Sequence, residues 1–180
     1  MAILFANSRY AVRGRLQEGI GTVADLAAWL RDHAAALGLE SGEPLNVNIR
    51  DVDNFVALRD AIRGIFVACV AGQPAGPELI TVVNVAAAAA PRWPVLDASF
   101  GIVERTGSRM LDTARAAIAR DAMNLLAGPL REDLRACLAP GCVKFFVKDH
   151  PRREWCCDHC GNRARAARHY HRHRVSQEPS

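Results

Sequence analysis

The chain has 180 residues, half of them hydrophobic, with six cysteines and a formal charge of +4. That length and apolar content suit one medium domain with a small appendix and exclude a disordered polycation. The opening, Met1 to Tyr10, has no charged leader, and Asn7 and Arg9 break its short apolar run. It reads as neither a signal peptide nor a membrane anchor, so a cytoplasmic setting is expected. Cysteines in that setting point to metal or free thiols rather than disulfides.

Thr22-Val-Ala-Asp25 forms a capping-box start. Val23, Leu26, Ala27, Leu30, Ala34 and Leu37 then recur at helical spacing until Gly38, with Trp29 at the edge of the stripe. Asp51 to Asn54 offers a cap for a helix through Phe55, Leu58, Ile62, Ile65, Phe66 and Cys69 that ends near Gly72. Cys69, on its apolar face, reads as a small buried hydrophobe. Gly76-Pro77 opens a third helix, apolar on most sides through Leu79, Val82, Val83, Val85 and the alanines 86–90. Such a helix is expected to be buried. Pro91 and Pro94 bracket a break, and residues 95–100 and 102–105 read as a short β-hairpin around Gly101. Ser108 caps a long helix with Met110, Leu111, Ala114, Ala117, Ile118, Ala122, Leu125 and Leu126 on one side, ended by Gly128-Pro129. Leu130 to Ala136 reads as a further short helix.

Four cysteines then carry the chemistry, as Cys137-x4-Cys142 and Cys156-x3-Cys160. Each pair can bring two thiolates to one ion, and the segment between the pairs allows a hairpin. Zinc prefers four soft ligands in a tetrahedron, and a closed thiolate shell leaves no place for water or substrate. A structural Zn2+ on Cys137, Cys142, Cys156 and Cys160 is therefore expected; iron is the other ion that four thiolates suit. Pro140-Gly141 would turn the knuckle, Val143 to Val147 would extend, and Asp149 to Arg153 would turn the hairpin. Phe145 or Phe146 and Trp155 would cover the metal. Cys160 would open a helix whose positive end steadies its thiolate. Cys157 offers an alternative x2 pairing with Cys160, and His159 an alternative ligand. Cys156 is preferred because Trp155 beside it would lie over the site. The expected fold is mainly α: a helical N-terminal domain with a short β-hairpin over residues 1–130, then a small treble-clef-like zinc finger (β-hairpin plus basic helix) over 131–175, with a disordered tail at 176–180.

The basic surplus is local. Residues 1–136 carry 14 Lys and Arg against 15 Asp and Glu, whereas residues 137–180 carry 9 against 4. Arg165, Arg168 and Arg172 share one helical face, with His169 beside them. That face can follow phosphates or enter a major groove. Arg163, Arg165, Arg168, His169 and Arg172 are thus the candidate nucleic-acid contacts, and DNA the expected partner. Arg163 can instead brace the metal module, and Asn162 reads as a cap or an adenine contact. A single short helix rarely binds specifically alone, so a homodimer is expected. The alternative is a protein-interaction module without direct nucleic-acid binding. Trp29, Phe55, Phe66 and Trp93 read as core first and as the lining of a small-molecule effector pocket second. Asn7 and Arg9 read as capping or surface residues, or as projections into such a pocket. There is no nucleophile–base pair, no phosphate-cradling glycine loop and no open metal position, so no enzyme is expected.

The run Cys-x4-Cys, Phe145-Phe146, Trp155-Cys156 and Cys160-Gly161-Asn162-Arg163-Ala164-Arg165 resembles the CGNR zinc finger of bacterial proteins. Phe5-Ala-Asn7-Ser8-Arg9, Leu26-Ala-Ala-Trp29-Leu30, Leu58-Arg59-Asp-Ala-Ile62-Arg63 and Asn84 resemble the ABATE domain that precedes it. The resemblance implies a stress-induced transcription regulator with a DNA-binding finger and no enzyme activity. Cys157 stands where that family usually has serine.

Overall fold

Local chemistry sets most of the element boundaries in this computed structural model, which describes residues 1–39 and 45–175. The tail expected at 176–180 lies outside the described residues. In chain order the elements are α1 (Ala2–Ala6), β1 (Arg9–Val12), β2 (Arg15–Glu18), α2 (Val23–Asp32), α3 (Ala34–Leu37), α4 (Ile49–Val70), α5 (Pro77–Ala88), β3 (Trp93–Leu96), β4 (Ile102–Arg105), α6 (Met110–Ala127), a 3-10 turn (Pro129–Asp133), β5 (Leu134–Ala136), β6 (Phe145–Val147) and α7 (Asp158–Val175). The chain is mainly helical, with short antiparallel hairpins.

The opening run is a folded element. α1 buries Ala2, Phe5 and Ala6 against α4 and α6, and the Ala2 amide donates to Asp121 Oδ2 at 2.7 Å. β1 and β2 then pair across Arg13-Gly14, both with positive φ (49° and 78°). That mirror-type turn matches the strand twist and favours glycine at its second position. The hairpin is absent from the elements expected above, although Arg13-Gly14 between β-favouring residues was its signal.

Thr22 caps α2 by accepting the Asp25 amide at 3.1 Å. The single helix expected from Val23 to Leu37 is two. His33 Nδ1 bonds to the Trp29 carbonyl at 2.8 Å while the imidazole stacks on Trp29 with ring centres 4.3 Å apart. His33 leaves helical geometry at ψ 13°, its side chain engaged with the preceding turn. Gly38 ends α3 in the left-handed conformation.

α4 is the central helix. It begins earlier than expected, because Asn48 is its cap and Asp51 answers from the third position of the same capping box. Phe55, Leu58, Ile62 and Phe66 are its buried side, so the two phenylalanines are core residues. Arg59 is buried too, paired with Glu18 of β2 and, through Nε at 2.9 Å, with Asp60. Burial works against its charge, but the two carboxylates outweigh that effect and raise its pKa.

α5 corrects one expectation. Only Val83 and Ala86 are buried along it, while Ile80, Val82 and Val85 are exposed. It packs on α4 and α6 from outside, with its far side exposed at Val82 and Val85. The β3–β4 hairpin is found where expected, starting two residues sooner, with Trp93 half exposed. Asp97 holds its turn by accepting the amides of Ser99 and Gly101, each at 2.8 Å, and the Ser99 hydroxyl. Those bonds, the Ser99 hydroxyl's first, keep its carboxyl below the ordinary range.

α6 also starts without the expected cap. Ser108 donates its hydroxyl to the Ala89 carbonyl at 3.4 Å, and Arg109 occupies the cap position without a side-chain capping bond, its guanidinium pairing instead with Asp51 at 3.4 Å. The short helix expected at 130–136 becomes a 3-10 turn and then a strand. Leu134, Arg135 and Ala136 pair with Val147, Phe146 and Phe145, and that pairing overrides the local helix preference. Among the described residues no helix is long and apolar enough to cross a membrane.

Candidate metal centre

The centre is built on the β5–β6 hairpin and the first turn of α7. Cys137 follows β5 directly, and its amide donates to the Lys144 carbonyl at 2.8 Å. The knuckle therefore sits at the turn of the hairpin, not before it as expected. Gly141 has φ 70°, and the Cys142 amide bonds back to Ala139. Cys160 lies in the first turn of α7, where the helix dipole favours a thiolate.

The sulfurs of Cys137, Cys142, Cys156 and Cys160 all lie within 4.8 Å of one another. Cys142 and Cys156 are 3.8 Å apart, and Cys156 and Cys160 are 3.4 Å apart. Zinc–sulfur bonds of about 2.3 Å in a tetrahedron require sulfurs roughly 3.8 Å apart, so the donor set fits structural Zn2+. The four ligands close the shell. Cys157 lies outside the cage, exposed, with its thiol lowered chiefly by the Cys160 amide.

Four thiolates around Zn2+ leave about two negative charges to be offset. The Cys156 amide approaches Cys137 Sγ at 3.5 Å. Burial pushes the Cys137 thiol up, but that amide and the one at Ala139 outweigh it and lower its pKa. Arg163 Nη2 donates to Cys160 Sγ at 3.3 Å. Arg153 clamps the approach to α7: it donates to the carbonyls of Trp155 and Cys156, pairs with Asp149 at 2.7 Å and lies over the Phe146 ring. The sequence places Arg153 only in a turn; its hydrogen-bond partners lie within four residues, but side-chain bonds to backbone carbonyls leave no mark in composition or spacing.

Residues 1–129 match the ABATE family model, described as "Putative stress-induced transcription regulator", and residues 134–173 match the CGNR zinc finger. The chain belongs to the ABATE family. Neither matched family is an enzyme family. No curated protein matches the chain.

The four letters of the CGNR motif now have separate physical roles. Cys160 is a ligand. Gly161 is buried, and a Cβ there would meet Trp155 Cδ1 at 2.9 Å. Asn162 accepts from Arg165 Nη2 at 2.6 Å, one turn inside α7, so it is not the helix cap. Arg163 turns inward to the Cys160 sulfur. Gly161→Ala is accordingly expected to destabilise the finger by about 1–3 kcal/mol through overpacking. Thermal melts of the zinc-loaded proteins check this, and an unchanged melting temperature contradicts it.

The ABATE core and the CGNR finger share a joint at β6. Successive strand residues face opposite sides. Phe145 enters the ABATE core, with its ring centre 5.4 Å from that of Phe66, while Phe146 packs with Cys137, Ala139, Cys160 and Ala164. Asn7 clamps the strand, donating to the Phe145 carbonyl and accepting its amide, both at 2.8 Å. Asn7 sits at the C-cap position of α1, as the capping reading had it, but its side chain serves the joint rather than the helix end. Arg63 donates to the carbonyls of Ala6 and Val143 at 2.7 and 2.8 Å and lies over the Phe145 ring. Burial, with Arg9 and Arg59 nearby, lowers its pKa.

The remaining predicted contacts lie on the outer side of α7. Arg165, Arg168, His169 and Arg172 are exposed and line one shallow groove. Arg168 also lies over the Trp155 ring, 5.9 Å from its centre. His150 and Arg152, from the loop before Trp155, line an adjoining groove with Arg165 and Arg168.

Proposed function

We propose that this chain is a cytoplasmic DNA-binding transcription regulator whose stress-linked ABATE domain senses a signal and whose finger contacts the duplex. The observation that carries this reading is the basic outer face of α7. Arg165, Arg168, His169 and Arg172 lie along it, Arg152 extends it, and a zinc cage holds its first turn. Arg163, turned to the Cys160 sulfur, acts by holding that turn in place. A helix of this size reads few base pairs, so the reading includes two copies of the chain on one site.

Phosphate contacts release counterions, and each contributes roughly −0.9 to the slope of log affinity against log salt. About four contacts predict a slope of about −3 to −4, and Arg165→Ala with Arg168→Ala should remove roughly two units of it. Fluorescence anisotropy with a random duplex, titrated at several salt concentrations, measures both. A slope that does not change in the double variant rejects phosphate contact by this face. Co-purification of a protein partner with no duplex binding at low salt would favour the interaction-module reading instead.

A further inference from the structure

A cleft of about 810 Å³ opens between the ABATE core and the finger. That volume is within the range of small-molecule sites. Tyr10, Trp29 and His33 line it from the ABATE side, and Lys144, Phe146 and Arg153 from the finger. Ser8 lines it too. Its residue is only 7 % exposed, yet its hydroxyl has no hydrogen-bond partner. Buried hydroxyls are rarely left unpaired, because doing so costs about 1–3 kcal/mol. A ligand atom that reaches this hydroxyl from the cleft would supply the missing bond.

Charge narrows the ligand class. Arg153 is neutralised by Asp149 at 2.7 Å. Lys144 has no carboxylate within ion-pair range among the described residues, and its ammonium lies 5.6 Å from the centre of the Tyr10 ring. Cys156 and Cys157 form the wall near the zinc cage, whose charge is negative. An anion is therefore favoured beside the Lys144 ammonium and disfavoured beside the sulfurs. Tyr10 and Trp29 bring aromatic surface to the lining, which favours an aromatic ring.

We propose that this cleft binds a small aromatic carboxylate, with its carboxylate toward Lys144, its ring against Tyr10 and Trp29, and a hydrogen bond to Ser8. This deepens the sensing part of the regulator reading and rests on it only for its consequence. Because the ligand would touch both parts of the joint, its binding would stabilise one arrangement of finger against core.

The experiment is calorimetric titration of the zinc-loaded full chain with indole-3-acetate and salicylate. Tryptamine, with the ring but the opposite charge, and cyclohexylacetate, with the charge but no aromatic ring, are the controls. At least one aromatic acid should bind with a submillimolar Kd, and both controls at least tenfold more weakly. Lys144→Gln should weaken that binding tenfold or more. Ser8→Ala should weaken it several-fold without lowering the melting temperature. No binding by either aromatic acid, equal binding of the controls, or unchanged affinity in both variants overturns the proposal. Duplex binding with its salt slope is measured on the same preparation. If that persists while the acids fail, this inference falls and the regulator reading stands.

Discussion

Removal of the zinc, by chelation or by Cys137→Ser, is expected to melt α7 and the β5–β6 hairpin and to weaken duplex binding more than a hundredfold. The finger's own buried cluster consists of Cys137, Ala139, Phe146, Cys160 and Ala164, and two of these are ligands. So small an apolar set cannot balance the ordering of an 18-residue helix and its loops. Zinc coordination, worth about 10–16 kcal/mol in comparable peptides, supplies the difference. Without the ion, burial and the neighbouring sulfurs push the Cys156 thiol far up and that of Cys160 to about 12. Zinc must then displace protons to bind, so its affinity should fall as pH falls. Far-UV circular dichroism during titration with a chelator reads the helix directly. Retention of the α7 signal after quantitative zinc removal would show that packing alone holds the finger.

Phe145→Ala should lower the melting temperature by roughly 6–20 °C, the equivalent of about 3–5 kcal/mol for a chain of this size. The ring is 3 % exposed, meets Phe66 edge-on and receives the Arg63 guanidinium over its face. Its deletion leaves a cavity at the place where the two parts meet, so both should loosen. Phe146→Ala is the informative comparison. That ring belongs to the finger cluster, so its loss should speed zinc release while sparing the melting of the ABATE core. Asn7→Ala acts on the same joint by leaving the Phe145 amide and carbonyl unpaired. Identical profiles for Phe145→Ala and Phe146→Ala, in melting and in zinc release, would contradict this division of the strand.

Features whose causes lie within a few residues were legible before any coordinates. The Thr22 and Gly38 boundaries, the β3–β4 hairpin and the four-cysteine set belong to this group, because caps, turns and paired ligands act over short sequence distances. The break at His33 was not read, although its side chain's partner is also local, because a side chain bonded to the Trp29 carbonyl leaves no mark in hydrophobic periodicity. The apolarity of α5 predicts an interior helix, because it reports what a helix can bury and not what lies over it. β5 was read as helix because its Leu-Arg-Ala sequence favours one, and only Phe145–Val147 turns it into a strand.

The site divides the same way. Spacing pointed to a four-cysteine zinc site and to the basic content of α7 but left Cys156 and Cys157 both open, and the fold brings Cys156 to the other three sulfurs. The inward turn of Arg163, the clamp made by Arg153 and the cleft at Ser8 and Lys144 did not. By itself, then, the sequence determined the helical class, the metal cage and the charge of the last helix, since each arises from neighbours along the chain. Only the tertiary structure decided how the finger is held to the core. Asn7 meets Phe145 across 138 residues and Arg63 meets Val143 across 80, and no local pattern encodes a partner so far away.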